Sequence, residues 1–237
     1  MTEEIIIAGF GGQGVLSMGK ILAYSGVMQD KEVCWMPSYG PEQRGGTANV
    51  SVIISDERIC SPIISKFDTA IVLNQQSLDK FEKSVKPGGM LIYDPNGITK
   101  EPTRKDINIY RIAATEKAQE MGISKVFNMV VLGGFLKLKP IVAPEFIHKG
   151  LEKSLPARHH ALIPQNEEAI EIGKGIKENF DSILTVVELI GGAILAWRIT
   201  DKFNTDLFQM TGAITTAIGL SRVFYTLLEE INNGVSF

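Results

Sequence analysis

The apolar run Ile5-Ile6-Ile7-Ala8 breaks into Gly9-Phe10-Gly11-Gly12-Gln13-Gly14 and resumes as Val15-Leu16-Ser17-Met18-Gly19-Lys20-Ile21-Leu22-Ala23. A run with no polar face predicts a strand buried on both sides, and the segment after the glycines carries a helical period. Strand, glycine turn and helix in that order make a phosphate-type loop. Glycines let the backbone turn with positive φ and let a ligand approach its N–H groups. The helix that follows aims its positive end at whatever occupies the loop.

Gly9, Gly11 and Gly14 satisfy G-x-G-x-x-G, the spacing of a dinucleotide site. That site also needs an acidic residue at the end of a second strand to hold a ribose. Here the second strand is expected over Glu32-Val33-Cys34-Trp35-Met36, which ends in Pro37-Ser38, with Asp30 and Glu32 lying ahead of it. The missing carboxylate counts against nicotinamide or flavin. It leaves open a tight turn that serves another ligand or a protein neighbour.

The next stretch, residues 37–47, holds two prolines and three glycines, which predicts a shaped loop rather than helix or strand. It also carries Ser38, Tyr39, Glu42, Gln43, Arg44 and Thr47, and loops on a rigid scaffold are where binding groups concentrate. Arg44 followed by Gly45-Gly46 suits a carboxylate or phosphate; a solvated turn with Arg44 in an ordinary ion pair is the alternative.

Strands are expected over 48–54, 68–74, 90–94 and 107–112, with a short one over 59–62. Helices are expected over 77–85, 113–121, 128–137, 144–153 and 167–179. Asn74-Gln75-Gln76 would stand at the carboxyl end of a strand, facing the crevice of an open sheet. The interleaving predicts an α/β fold with a mostly parallel sheet and flanking helices.

With 24 basic and 27 acidic residues the charge is nearly balanced, and no basic stripe marks a nucleic-acid surface. Two cysteines, Cys34 and Cys60, form no C-x-x-C, so the chain supplies no iron–sulfur or zinc ligand set. They are expected as buried thiols in a reducing cytoplasm. Glu3-Glu4 precede the first strand directly, leaving no room for a signal peptide. The three histidines, His148, His159 and His160, are read as structural or interface residues, because adjacent histidines on a helix point apart. No catalytic acid–base pair and no metal site emerges.

Residues 7–15, Ile-Ala-Gly-Phe-Gly-Gly-Gln-Gly-Val, together with Trp35-Met36-Pro37-Ser38-Tyr39-Gly40-Pro41-Glu42-Gln43-Arg44-Gly45-Gly46-Thr47-Ala48-Asn49, resemble the gamma subunit of 2-oxoacid:ferredoxin oxidoreductases. The 2-oxoglutarate and branched-chain members look most similar. Asn128-Met129-Val130-Val131-Leu132-Gly133 and Asn166-Glu167-Glu168-Ala169 match later landmarks of that family. The resemblance spans residues 3–178. It implies a cytoplasmic, multi-subunit enzyme that decarboxylates a 2-oxoacid, makes an acyl-CoA and reduces ferredoxin. Thiamine diphosphate and the iron–sulfur clusters are then expected on partner subunits, the alpha and beta subunits and the cluster-bearing one. Coenzyme A is expected at Gly11, Gly12, Gln13 and Gly14 in the first loop and at Ser38, Tyr39, Gln43, Arg44 and Gly45 in the second. A stand-alone nucleotide-binding redox protein and a non-catalytic scaffold are the alternatives.

Members of the family that this chain resembles usually end near residue 180, so residues 1–179 are expected as the gamma-type domain and 180–237 as an extension. Its two apolar runs, 183–199 and 207–228, flank the polar 200–206 and predict a helical hairpin. Both runs carry charges, which disfavours a membrane-spanning pair. Burial against a partner or a second copy is the favoured reading; membrane association and a misplaced gene boundary are the alternatives.

Overall fold

A computed structural model describes residues 1–39 and 46–176. The chain divides into units Met1–Asn179 and Phe180–Phe237, and every described residue belongs to the first. The expected hairpin lies outside the described residues, as do Gln43, Arg44 and Gly45.

Six strands, β1 (Thr2–Phe10), β2 (Glu32–Tyr39), β3 (Thr47–Ser55), β4 (Phe67–Val72), β5 (Val85–Tyr93) and β6 (Asn108–Arg111), form one sheet in the order β2-β3-β1-β4-β5-β6. β1, β4, β5 and β6 run parallel, and β3 is antiparallel to both β1 and β2. Only β3 therefore opposes the common direction. Among the described residues six helices flank the sheet: α1 (Val15–Met28), α2 (Gln75–Phe81), α3 (Ala114–Glu120), α4 (Phe127–Leu138), α5 (Pro144–Ser154) and α6 (Ile163–Gly175).

The apolar run in β1 is continuous because each face of the sheet is covered. Ile5 and Ile7 pack with Val50, Val52, Met18, Leu22, Phe135 and Leu151 in the larger core. Ile6 and Ala8 enter a smaller one with Leu78, Phe81 and Tyr93. Ile5 and Ile7 are fully buried and Ile6 nearly so, a burial worth about 1.5–3 kcal/mol for each side chain. Helices approach the larger core closely where they carry glycine. A Cβ on Gly19 of α1 would sit 2.6 Å from Val50 Cγ1. At the crossing of α4 and α6, a Cβ on Gly133 would meet the Ile170 carbonyl at 2.0 Å, and one on Gly173 the Val130 carbonyl at 2.0 Å. The two backbones lie against each other there.

Several expectations are corrected. Pro37, Ser38 and Tyr39 continue β2, opposite Val50, Asn49 and Ala48. β2 is the sheet's edge, where a residue without an N–H interrupts no inner ladder. Residues 59–62 form no strand. Cys60 is exposed there and Cys34 is only half-buried on the edge strand. α2 stops at Phe81, and residues 86–89 form a bulge inside β5, with Gly88 at φ 74°. α6 begins at Ile163, because Pro164 occupies a first-turn position whose N–H has no helical partner. No helix among the described residues is long and apolar enough to cross a membrane.

Candidate functional site

The loop from Gly11 to Gly14 leaves β1 at the carboxyl edge of the sheet. The Phe10 N–H donates to Gln13 Oε1 at 2.6 Å, the Gln13 N–H returns a bond to the Phe10 carbonyl at 3.2 Å, and Gln13 Nε2 donates to the Leu73 carbonyl at 3.2 Å. One side chain thus closes the turn and ties the end of β1 to the end of β4. α1 packs in the core on one face and α2 in the core on the other, so β1 and β4 bound a topological switch point, where open α/β sheets hold ligands. Gln13 stitches that crevice. A Cβ on Gly9 would lie 2.6 Å from Gln13 Oε1, so this glycine makes room for the stitch.

Gly12 and Gly14 have φ of 98° and 74°, a region that L side chains rarely adopt. Gly12 is exposed with nothing over it. α1 begins at Val15 with no side-chain cap and no acidic residue in its first turn. The first-turn N–H groups of Val15, Leu16 and Ser17 have no intrahelical acceptor, and the helix macrodipole makes them attractive to an anion. The loop is therefore a set of donors at a half-open surface.

The second motif reaches the same edge. The Gly11 N–H donates to the Gly46 carbonyl at 2.9 Å, which joins the glycine loop to the residue leading into β3. Ser38 pairs with Asn49, and Asn49 with Ala8, so Ser38 and the end of β1 share one row across the sheet. Ser38 is exposed. The described members of both groups, Gly11 to Gly14 with Ser38 and Tyr39, stand at one edge.

Three polar residues at this edge serve the fold instead. Asn74 Oδ1 accepts the Ser77 N–H at 2.8 Å and caps α2, and its Nδ2 is buried without a partner. Gln75 Oε1 accepts from the backbone of Thr99 and Lys100. Asp94, buried at the end of β5, accepts from the N–H groups of Asn96 and Thr115 and from the Thr115 hydroxyl.

Asn128 is the site-edge residue whose role the sequence did not reveal. Its Nδ2 donates to the Gly14 carbonyl at 3.3 Å, and a Cβ on Gly14 would fall 2.3 Å from that nitrogen. The Asn-Met-Val-Val run marked the residue, but 114 residues separate it from its partner.

The histidines sit elsewhere. His148 on α5 meets Glu167 of α6 at 2.6 Å, and His160 Nε2 lies 3.1 Å from the Glu152 and Leu155 carbonyls. Among the described residues no cluster of three or more His, Cys, Asp or Glu is placed to hold a metal. A dinucleotide reading also meets a topological obstacle. In that fold the strand bearing the ribose carboxylate neighbours β1, whereas here the antiparallel β3 lies between β1 and β2.

Comparison with known proteins agrees with this fold. The 2-oxoglutarate synthase subunit KorC of Methanocaldococcus jannaschii is 38% identical over 159 residues, covering 66% of this chain and 85% of that protein. The ketoisovalerate oxidoreductase subunit VorA of Methanothermobacter thermautotrophicus is 37% identical over 182 residues, 76% of this chain but 38% of that longer protein. The chain thus spans little more than a third of the VorA relative. The keto/oxoacid ferredoxin oxidoreductase gamma subunit of Geobacter sulfurreducens superposes with a TM-score of 0.62 at 30% identity, covering 73% of this chain and 96% of that one. The 2-oxoglutarate:ferredoxin oxidoreductase of Magnetococcus marinus, solved with 2-oxoglutarate, coenzyme A and succinyl-CoA bound, superposes with a TM-score of 0.66 at 26% identity, covering 73% of this chain and 30% of that one. Residues 4–176 match the family described as pyruvate ferredoxin/flavodoxin oxidoreductase, and the chain belongs to it.

Proposed function

We propose that this chain is the gamma subunit of a cytoplasmic, multi-subunit 2-oxoacid:ferredoxin oxidoreductase, and that its glycine loop holds the phosphate groups of coenzyme A. The observation that carries the reading is the uncapped start of α1 behind Gly12 and Gly14, joined through the Gly11–Gly46 bond to the second motif. A diphosphate supplies the acceptors those N–H groups lack. Ser38, Tyr39, Gln43, Arg44 and Gly45 are the further contacts, with Arg44 suited to a bidentate phosphate grip. Residues 1–179 are the working domain and 180–237 an extension.

Thiamine diphosphate, when bound, supplies the carbanion chemistry of decarboxylation, and the clusters carry the electrons to ferredoxin. Both belong to the alpha, beta and cluster-bearing partners in this reading. Two cysteines in the whole chain are too few for a four-thiolate cluster. Val27, Trp35 and Met36 leave large apolar surface in solvent, which suits a subunit that docks on others.

The test is purification of the tagged chain from its native host in mild detergent, followed by assay with a panel of 2-oxoacids. Co-purification of thiamine- and cluster-binding subunits, with 2-oxoacid- and coenzyme A-dependent reduction of ferredoxin, is the expected result. A chain that emerges alone with a bound dinucleotide overturns it. In the assembled enzyme, Arg44→Ala should raise the KM for coenzyme A about tenfold, the loss of one charge-assisted contact, without breaking assembly. An unchanged KM removes Arg44 from the site.

A further inference from the structure

The carbonyl of Gly14 and the N–H of Val15 belong to one planar peptide and point in opposite directions. Whatever fixes the carbonyl therefore aims the N–H. The carbonyl accepts the first hydrogen bond of α1, from the Met18 N–H at 2.9 Å, and a second from Asn128 Nδ2 at 3.3 Å. Gly14 sits at φ 74°, ψ 15° with no side chain to restrain it, so one acceptor bond leaves the peptide free to tilt. The second donor, from a different helix, fixes the plane.

That helix is a rigid base. α4 carries Asn128 in its first turn, 7% exposed, and its Val130, Val131, Leu132 and Phe135 are fully buried. The backbone crossing at Gly133 and Gly173 locks α4 to α6. We propose that Asn128 is a positioning residue: through the Gly14 carbonyl it aims the Val15 N–H out of the glycine loop at the bound phosphate. This rests on the coenzyme A reading of the loop and deepens it.

The experiment uses the assembled enzyme and Asn128→Asp, which keeps the shape but replaces the donor by an acceptor facing the Gly14 carbonyl. The KM for coenzyme A should rise about three- to tenfold, the worth of one hydrogen bond. The kcat at saturating coenzyme A and the KM for the 2-oxoacid should stay within about twofold. Burial beside the Gly14 carbonyl disfavours the charged carboxylate, so the ratio of variant to parent KM should narrow from about pH 8 to about pH 5.5, as the carboxyl gains a proton and with it a donor. A merely structural role would not produce that pH dependence. An unchanged KM, or a fall in kcat alone, overturns the proposal.

Should Asn128→Asp fail to assemble, Asn128→Ser replaces it, with a hydroxyl that stops short of the carbonyl. It should raise the KM in the same sense without the pH dependence, and an unchanged KM overturns the proposal. Gly12→Asp separates the two ideas. If it too leaves the KM for coenzyme A unchanged, the loop is not the coenzyme A site and the functional reading falls. If it raises the KM while the Asn128 variants do not, only the positioning role falls.

Discussion

The two edges of the sheet treat charge and hydrogen bonding in opposite ways. At the amino edge of the parallel strands, buried Glu3 accepts the Thr69 hydroxyl at 2.6 Å and faces Lys139 at 3.1 Å. Lys86 bridges Glu4 and Asp68 at 2.7 Å each, and the Glu4 N–H donates to the other Asp68 oxygen. Burial pulls the Lys86 pKa down, but its bonds to Asp68 and Glu4 outweigh that and raise it. At the carboxyl edge, α1 starts without a cap and Gly12 lies open. One edge consumes its polar groups in the fold; the other does so with Asn74, Gln75 and Asp94 but leaves the N–H groups at the start of α1 without a cap. A surface that keeps uncapped donors beside a rigid stitch such as Gln13 is better organised for binding than for stability.

Gly12→Asp tests this contrast with the largest expected effect. A carboxylate about 4 Å from a bound phosphate costs up to about 4 kcal/mol at intermediate dielectric, so the KM for coenzyme A should rise roughly 30-fold or more. Aspartate tolerates positive φ better than most residues, so the melting temperature should move by about 4 °C at most. Steady-state kinetics on the assembled enzyme, beside a melting curve, reads both. A collapse of the melting temperature with an unchanged KM would erase the distinction between the edges.

Glu3→Ala is the converse. The Thr69 hydroxyl, fully buried, loses its acceptor, and Lys139 loses its partner. A cost of about 2 kcal/mol lowers the melting temperature by about 4–8 °C. The KM for coenzyme A should not move. If it does, the amino edge is coupled to the site and the two edges are not independent.

How much of this was legible in the sequence follows the range of the interactions involved. Ile5 to Ala8 declared a strand buried on both faces because every residue in it is apolar, and the glycines after it declared a turn. Both signals are local. Pro37 to Tyr39 misled because proline argues against a strand, and the edge position that tolerates it is a property of the assembled sheet. Asn74 looked like a crevice residue, yet its side-chain Oδ1 caps α2, a choice that the Ser77 N–H makes only once the chain has turned. Asn128 and Gly14 are too far apart in sequence for any window to join them. Gln13 was named for the ligand, and the structure shows both its polar ends engaged, with Phe10 and Leu73. The loop and its glycines were legible; the contacts that hold it, from Gln13 to Leu73 and from Asn128 to Gly14, were not.

The smallest expected effect tests a third place, where charge is paired yet exposed. His148 on α5 lies between Glu167 of α6, 2.6 Å from Nδ1, and Glu152 of its own helix, 3.5 Å from Nε2. The hydrogen bond to Glu167 chiefly raises the His148 pKa above its ordinary 6.5, against a smaller opposing effect of burial. A raised folded-state value means that the stabilisation is fully present below about pH 6.5. It is lost as the pH climbs through the folded value and the imidazolium gives up its proton. Both partners are well exposed, so water screens the pair and its worth is under about 1 kcal/mol. His148→Gln should therefore lower the melting temperature by about 1–3 °C near pH 5.5, and the gap to the parent should close as the pH rises past the folded value. A gap that persists at alkaline pH would mean that His148 joins α5 to α6 by packing.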